Sequence, residues 1–138
     1  MTTAFLDVIY PGVLIATGVL FITGLASLVV IRLHKPLTWV VSGFWVVTAV
    51  EVLVIIGALV TGTIPVVMTV GYILAALALL PLLGIARLGD PEAASDDPNR
   101  PVLQPDQMAR VDGVAAMIVA IAAAVVAWRV AEIIEAAA

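Results

Sequence analysis

The sequence contains no cysteine and a single histidine, His34. A disulfide framework, a thiolate nucleophile and an iron–sulfur centre are therefore excluded. So is bis-histidine haem ligation within one chain, and no cofactor is expected. Charge is scarce as well. Charged residues make up 12% of the 138 residues, with a formal net charge of −4, where soluble domains carry roughly 25% charged residues. The acidic surplus comes mostly from one polar segment and the C-terminus, so the charge balance describes no basic patch for nucleic acid or anionic lipid. Lys35 stands alone against five arginines, in a composition rich in Ala, Val, Gly and Asp, a usage that points to a bacterium with a GC-rich genome.

What the chain has in excess is apolar surface. Hydrophobic residues account for 64% of it, against roughly 45–50% in soluble domains. A chain this short has too little interior to hide them, so lipid is the expected solvent. Four uncharged or nearly uncharged runs approach the ~20 residues that cross a bilayer core of about 30 Å. They read as helices over about 8–31, 39–60, 65–86 and 108–131. The first reads as a span rather than a cleaved signal peptide, because no basic segment precedes it. Thr38 is placed to cap the second helix. The turn Thr61-Gly62-Thr63-Ile64-Pro65 separates the second from the third, with Thr63 as N-cap and Pro65 in the first helical turn. Pro81 is expected to kink the third helix near its end. The segment 88–107, with Asp90, Glu92, Asp96, Asp97 and Asp106 among four prolines, reads as a solvated loop.

The expected fold is thus all-α: a single polytopic integral membrane domain with four transmembrane helices in an antiparallel bundle. Arg32, Lys35, Arg87, Arg100 and Arg110 fall on one side and Arg129 on the other. The positive-inside rule then puts both basic loops in the cytoplasm of a bacterial inner membrane and both termini outside.

Between helices in lipid, close backbone approach and polar contacts replace the hydrophobic driving force. At about 100° per residue, Ala116, Ala120, Ala123, Ala127 and Ala131 fall within an arc of about 80° on the last helix, and Gly113 joins them. This is the expected packing stripe. Gly12, Ala16, Thr23 and Ser27 make a looser stripe on the first helix.

Glu51 is the residue that demands an explanation. It lies near mid-membrane in the second helix, where a charged group costs roughly 2.5–3.5 kcal/mol. A neutral acid is expected there unless a cation lies close. Phe44, Thr48 and Ala58 share its face, and Thr48 is one turn away. Arg129 is the cation to examine, although Glu132, three residues on, is its simpler partner. Glu51, Thr48 and Arg129 form the candidate intramembrane polar site. Asp112 is expected to interact with the start of the last helix or with Arg87 or Arg110. His34, without acidic neighbours in sequence, reads as an interfacial residue. No serine–histidine–acid set, metal-ligand cluster or phosphate loop occurs, so no enzyme and no metal site is expected.

Four short helices with one intramembrane glutamate resemble the small multidrug-resistance transporters in outline. In that family the essential carboxylate lies in the first helix, whereas Glu51 is in the second, so the resemblance assigns no role to any residue here. The expected function is a non-catalytic accessory or assembly subunit of a larger bacterial membrane complex, with membrane lipid and other membrane subunits, or a second copy of itself, as partners. The alternative is a small proton- or cation-coupled transporter or channel acting as a homo-oligomer, with Glu51 as its coupling carboxylate.

Overall fold

The computed structural model of the chain describes residues 2–62, 64–89 and 104–137. Among the described residues the secondary structure is entirely helical, apart from short turns. Four helices are long and apolar enough to cross a membrane, spanning Phe5–Val29, Ile31–Val60, Val66–Gly84 and Asp106–Ala137. Within them we name α1 (Tyr10–Val29), α2 (His34–Val60), α3 (Val66–Leu79) and α4 (Pro105–Ala137).

Helix boundaries depart from the sequence expectation wherever a polar residue or a proline is accommodated. The chain is already helical at Thr2–Ala4, and a π-helical turn over Phe5–Ile9 leads into α1. In that turn the Tyr10 amide donates to the Phe5 carbonyl. Pro11 follows directly. Its ring has no N–H and would crowd the carbonyl four residues back in a regular α-helix, and the wider π turn relieves that clash. Helix α2 starts at His34 after a 3₁₀ turn at Ile31–Leu33, with Pro36 in its first turn, where a missing N–H costs nothing. Thr38 is therefore inside the helix and not its cap; its hydroxyl donates to the Lys35 carbonyl at 2.6 Å. Helix α4 continues to Ala137, beyond the expected end at 131.

The α2–α3 turn is where glycine is required. Gly62 has φ of 89°, a left-handed conformation that side chains with a β-carbon disfavour. Its amide donates to the Leu59 carbonyl at 3.1 Å, closing the end of α2. Pro65, with an extended ψ of 124°, occupies the N-cap position of α3, and helical residues begin at Val66. Thr63, expected as the N-cap, lies outside the described residues.

Pro81 changes the helix type. The chain passes from α3 into a 3₁₀ segment at Leu80–Gly89, because proline cannot donate to the carbonyl four residues back. At about 2.0 Å per residue the 3₁₀ segment climbs faster than an α-helix. Most of the loop expected over 88–107 lies outside the described residues.

Buried positions repeat with alternating steps of four and three on every helix. They are Val13, Thr17, Leu20, Gly24 and Ser27 on α1, and Phe44, Thr48, Glu51, Ile55 and Ala58 on α2. On the third span they are Thr69, Ile73, Ala76, Leu80 and Leu83. On α4 the same steps run Ala109, Gly113, Ala116, Ala120, half-buried Ala123, Ala127, Val130 and Ile134. That 3.5-residue period is the seam of helices packed at shallow angles. The opposite faces are equally apolar and exposed, among them Val29, Trp39, Val60 and Val67. In water such faces would be costly; in lipid they are the solvated surface.

The α1–α4 crossing is the tightest contact. A β-carbon on Gly113 would lie 2.6 Å from the Ser27 hydroxyl oxygen and 2.7 Å from the Gly24 carbonyl oxygen. One on Gly24 would lie 2.8 Å from the Gly113 carbonyl oxygen. Ser27 donates to its own Gly24 carbonyl at 2.8 Å and lies 3.4 Å from the Ala109 carbonyl of α4. The α4 stripe of Gly113, Ala116, Ala120, Ala127 and Ala131 is thus consumed inside the chain, with Ala123 half-buried. The α1 stripe needs correction. Of Gly12, Ala16, Thr23 and Ser27, Ser27 alone is buried, and the true seam is rotated to include Gly24. The reason is that α4 selects the face of α1 on which two glycines can meet.

Candidate functional site

Two apolar clusters fill the bundle interior. One joins Phe5, Val52, Ile55, Ala58, Ile64, Ile73, Val130, Ala131 and Ile134. The other joins Leu20, Leu37, Phe44, Leu80, Leu83, Ala116, Val119 and Ala120. Between them along the helix axes fall Val13 and Thr17 of α1, Thr48 and Glu51 of α2, Ala76 of α3, and Ala123 and Ala127 of α4. Among the described residues this stretch holds the buried polar side chains Thr17, Thr48 and Glu51, whereas Ser27 and Thr69 are buried nearer the helix ends. The sequence reveals the α2 members and, as part of the small-residue stripe, the α4 members; the α1 and α3 members are fixed by how the helices meet.

Glu51 is 4% exposed and Thr48 3%. The Glu51 Oε1 atom is buried without a hydrogen-bond partner. Thr48 shares its face one turn earlier, but no hydrogen bond joins the two. The hydroxyl of Thr17 is spent on its own helix, donating to the Leu14 carbonyl at 2.8 Å, a local bond that satisfies the group without crossing the bundle. Thr69 does the same, donating to the Pro65 carbonyl at 2.6 Å. The buried hydroxyls that make these bonds are satisfied, while one oxygen of the carboxyl group is left over. A group of this kind in an apolar interior costs about 1–3 kcal/mol unless a proton, a cation or a donor meets it.

Arg129 does not supply that partner. Its guanidinium donates to Glu132 at 2.7 Å and to the Tyr72 hydroxyl at 3.4 Å, and lies 5.9 Å from the centre of the Trp128 ring. Nearly half of its side chain is exposed. The three candidate polar residues therefore divide: Thr48 and Glu51 share the interior, and Arg129 sits on the outer surface in a small network of its own. An exposed pair at this spacing contributes a few tenths of a kcal/mol; its main effect is to hold the arginine head away from the helix interior.

A second polar contact is absent from the sequence reading. His34 Nε2 and Asp112 Oδ2 are 2.6 Å apart, so the lone histidine does have an acidic neighbour. The pair is partly buried, with side chains 25% and 14% exposed, and it ties the first turn of α2 to α4 across 78 residues of sequence. Asp112 Oδ1 is buried without a partner. From sequence, Asp112 is expected to serve the helix start, Arg87 or Arg110; the Arg87 side chain lies outside the described residues, and the observed partner is His34. Nothing local could have shown it, since neither residue has a charged complement within reach along its own helix.

Among the described residues no cluster of His, Cys, Asp or Glu suits a metal ion. Comparison with known protein families, with curated proteins and with solved structures finds no match. The functional reading therefore rests on the geometry alone.

Proposed function

We propose that this chain is a non-catalytic subunit of a larger complex in a bacterial cytoplasmic membrane, helping to assemble or stabilise it. In this reading it crosses the membrane four times, neighbouring helices run antiparallel, and both termini lie outside. The meeting of Ser27 with Ala109 at one end of α1, and of Phe5 with Val130 and Ile134 at the other, supports the antiparallel pairing. The arginine asymmetry supports the orientation.

The observation that carries the proposal is the placement of bare glycines on the outer face of α1. Gly12 lines a groove against α2 with Val8, Val46, Val47 and Val50, and Gly18 lines another against α4 with Leu14, Phe21, Ile22 and Ile121. A β-carbon at either glycine would meet nothing within 4 Å. In lipid, where helices associate by shape and close approach, such sites suit the ridge of a neighbouring helix. The polar layer at Glu51 is meanwhile closed on both sides by packed side chains, which favours a structural interior. Purification from the native membrane in mild detergent, with mass spectrometric identification of co-purifying chains, tests the proposal. Specific partners should come along and be lost in Gly18→Leu. A homo-oligomer without other chains overturns the reading.

The orphaned Oε1 of Glu51 favours a second reading, a proton- or cation-coupled transporter built from several copies, with Glu51 as the coupling acid. Reconstituted vesicles would then show pH-driven flux that disappears in Glu51→Gln. Flux unchanged by that substitution removes Glu51 from any mechanism.

A further inference from the structure

We propose that the groove between α4 and the 3₁₀ segment is a binding site for an anionic phospholipid, with one acyl chain seated in the groove and the phosphate held by Arg110. The groove has a volume of about 420 Å³ and is lined by Leu82, Arg110, Val111, Val114, Ala115 and Ile118. The four α4 residues after Arg110 follow the i, i+3, i+4, i+7 spacing of a single helix face. That face is not the one packed into the bundle. Val114 and Ile118 are 46% and 57% exposed and form the rim, with half-buried Ala115 between them as the floor.

The position of the charge decides the occupant. Arg110 is exposed and stands at one end of the groove; Asp112, two residues on, is engaged by His34, and from Gly113 to Trp128 α4 carries no charged residue. From Arg110 to Ile118 the helix rises about 12 Å, close to the ~15 Å of hydrocarbon in one leaflet. When the stripe lies among acyl chains, the guanidinium stands at the level of the lipid phosphates. A phospholipid carries its apolar chain and its phosphate at this separation in one molecule. A helix from another protein would have to leave the guanidinium desolvated or bring a matched acid to it. Arginine meets phosphate with paired N–H donors. A zwitterionic headgroup sets its own ammonium against that attraction, whereas an anionic one does not. This site is separate from the glycine-lined grooves of α1 and does not depend on the subunit reading.

The test uses the full chain in mild detergent, titrated with phosphatidylglycerol or with phosphatidylcholine of the same acyl chains, and bound lipid is counted by native mass spectrometry. One phosphatidylglycerol should be retained in preference to phosphatidylcholine. Arg110→Gln should weaken phosphatidylglycerol binding about fivefold, the effect of one cation at the membrane surface, and leave phosphatidylcholine unchanged, while Arg110→Lys keeps most of the preference. Ala115→Trp fills the floor and should abolish retention with the arginine still present. Should that variant fail to fold, Ile118→Asn, at an exposed position, should weaken both lipids. Equal retention of the two lipids, a preference that survives Arg110→Gln, or retention undiminished in the groove variants overturns the proposal. So does a second copy of the chain occupying this face in place of lipid.

Discussion

Glu51 and the Gly24–Gly113 crossing show two ways in which one atom sets the behaviour of a membrane helix. The carboxyl group stands out in the sequence because no other acid interrupts the apolar run of α2. That its Oε1 meets no partner does not, since the faces that α1, α3 and α4 turn inward decide it. Glu51→Gln replaces the carboxyl group by an uncharged amide of the same shape, so under the structural reading the variant should fold and melt in detergent close to the parent. Glu51→Lys, which forces a cation into a layer closed by two apolar clusters, should not yield a folded monodisperse protein by size-exclusion chromatography. At the crossing, Gly113→Leu places a side chain where even a β-carbon lies 2.6 Å from Ser27. The second atom within 3 Å, the Gly24 carbonyl oxygen at 2.7 Å, is backbone, so the helices must separate, at a cost of about 1–3 kcal/mol or more. Gly12→Leu, with open space at the same atom, should leave the melting temperature unchanged and serves as the comparison.

Helices and turns were legible to different degrees. The four apolar runs announce themselves by length, and the Thr61–Pro65 turn by its glycine and proline. The ends were displaced, because helix propagates through polar residues once a bundle supports it, and prolines such as Pro11 and Pro81 were absorbed by changing the local helix type. Gly62 is the position where backbone conformation admits least variation. Gly62→Val should destabilise the protein by about 1–2 kcal/mol, read as a lower melting temperature. The bridge from α2 to α4 at His34 and Asp112 makes a separate prediction. A double-mutant cycle with His34→Ala and Asp112→Ala should return a coupling of about 1 kcal/mol, well above the ~0.3–0.5 kcal/mol scatter of unlinked sites. A coupling within that scatter would make the contact incidental.

For the molecule as a whole, the absence of cysteine is an experimental advantage, because a single introduced thiol reports topology without background. If the arginines orient the chain as proposed, Thr61→Cys should react with a membrane-impermeant maleimide from outside intact cells. Lys35→Cys should react only after the membrane is opened. The opposite pattern would invert the orientation and leave the four-helix fold untouched. The fold and the candidate polar site are thus separable: disturbing the α1–α4 crossing acts on the bundle, whereas changes at Glu51, Arg110 or Gly18 probe the interior, the proposed lipid site and the proposed partner site in turn.

The amino-acid order alone dictates that four segments prefer acyl chains to water, since transfer of apolar surface is a property of each segment irrespective of its neighbours. It also singles out Glu51 and the α4 small-residue stripe, because both are local departures from an apolar background. Which face of each helix turns inward was decided by tertiary packing. All faces here are apolar, so hydrophobicity cannot distinguish them; shape does, through two glycines that let α1 and α4 approach and a seam that repeats every three and a half residues. The His34–Asp112 bridge and the solitary state of Glu51 follow from that choice of faces.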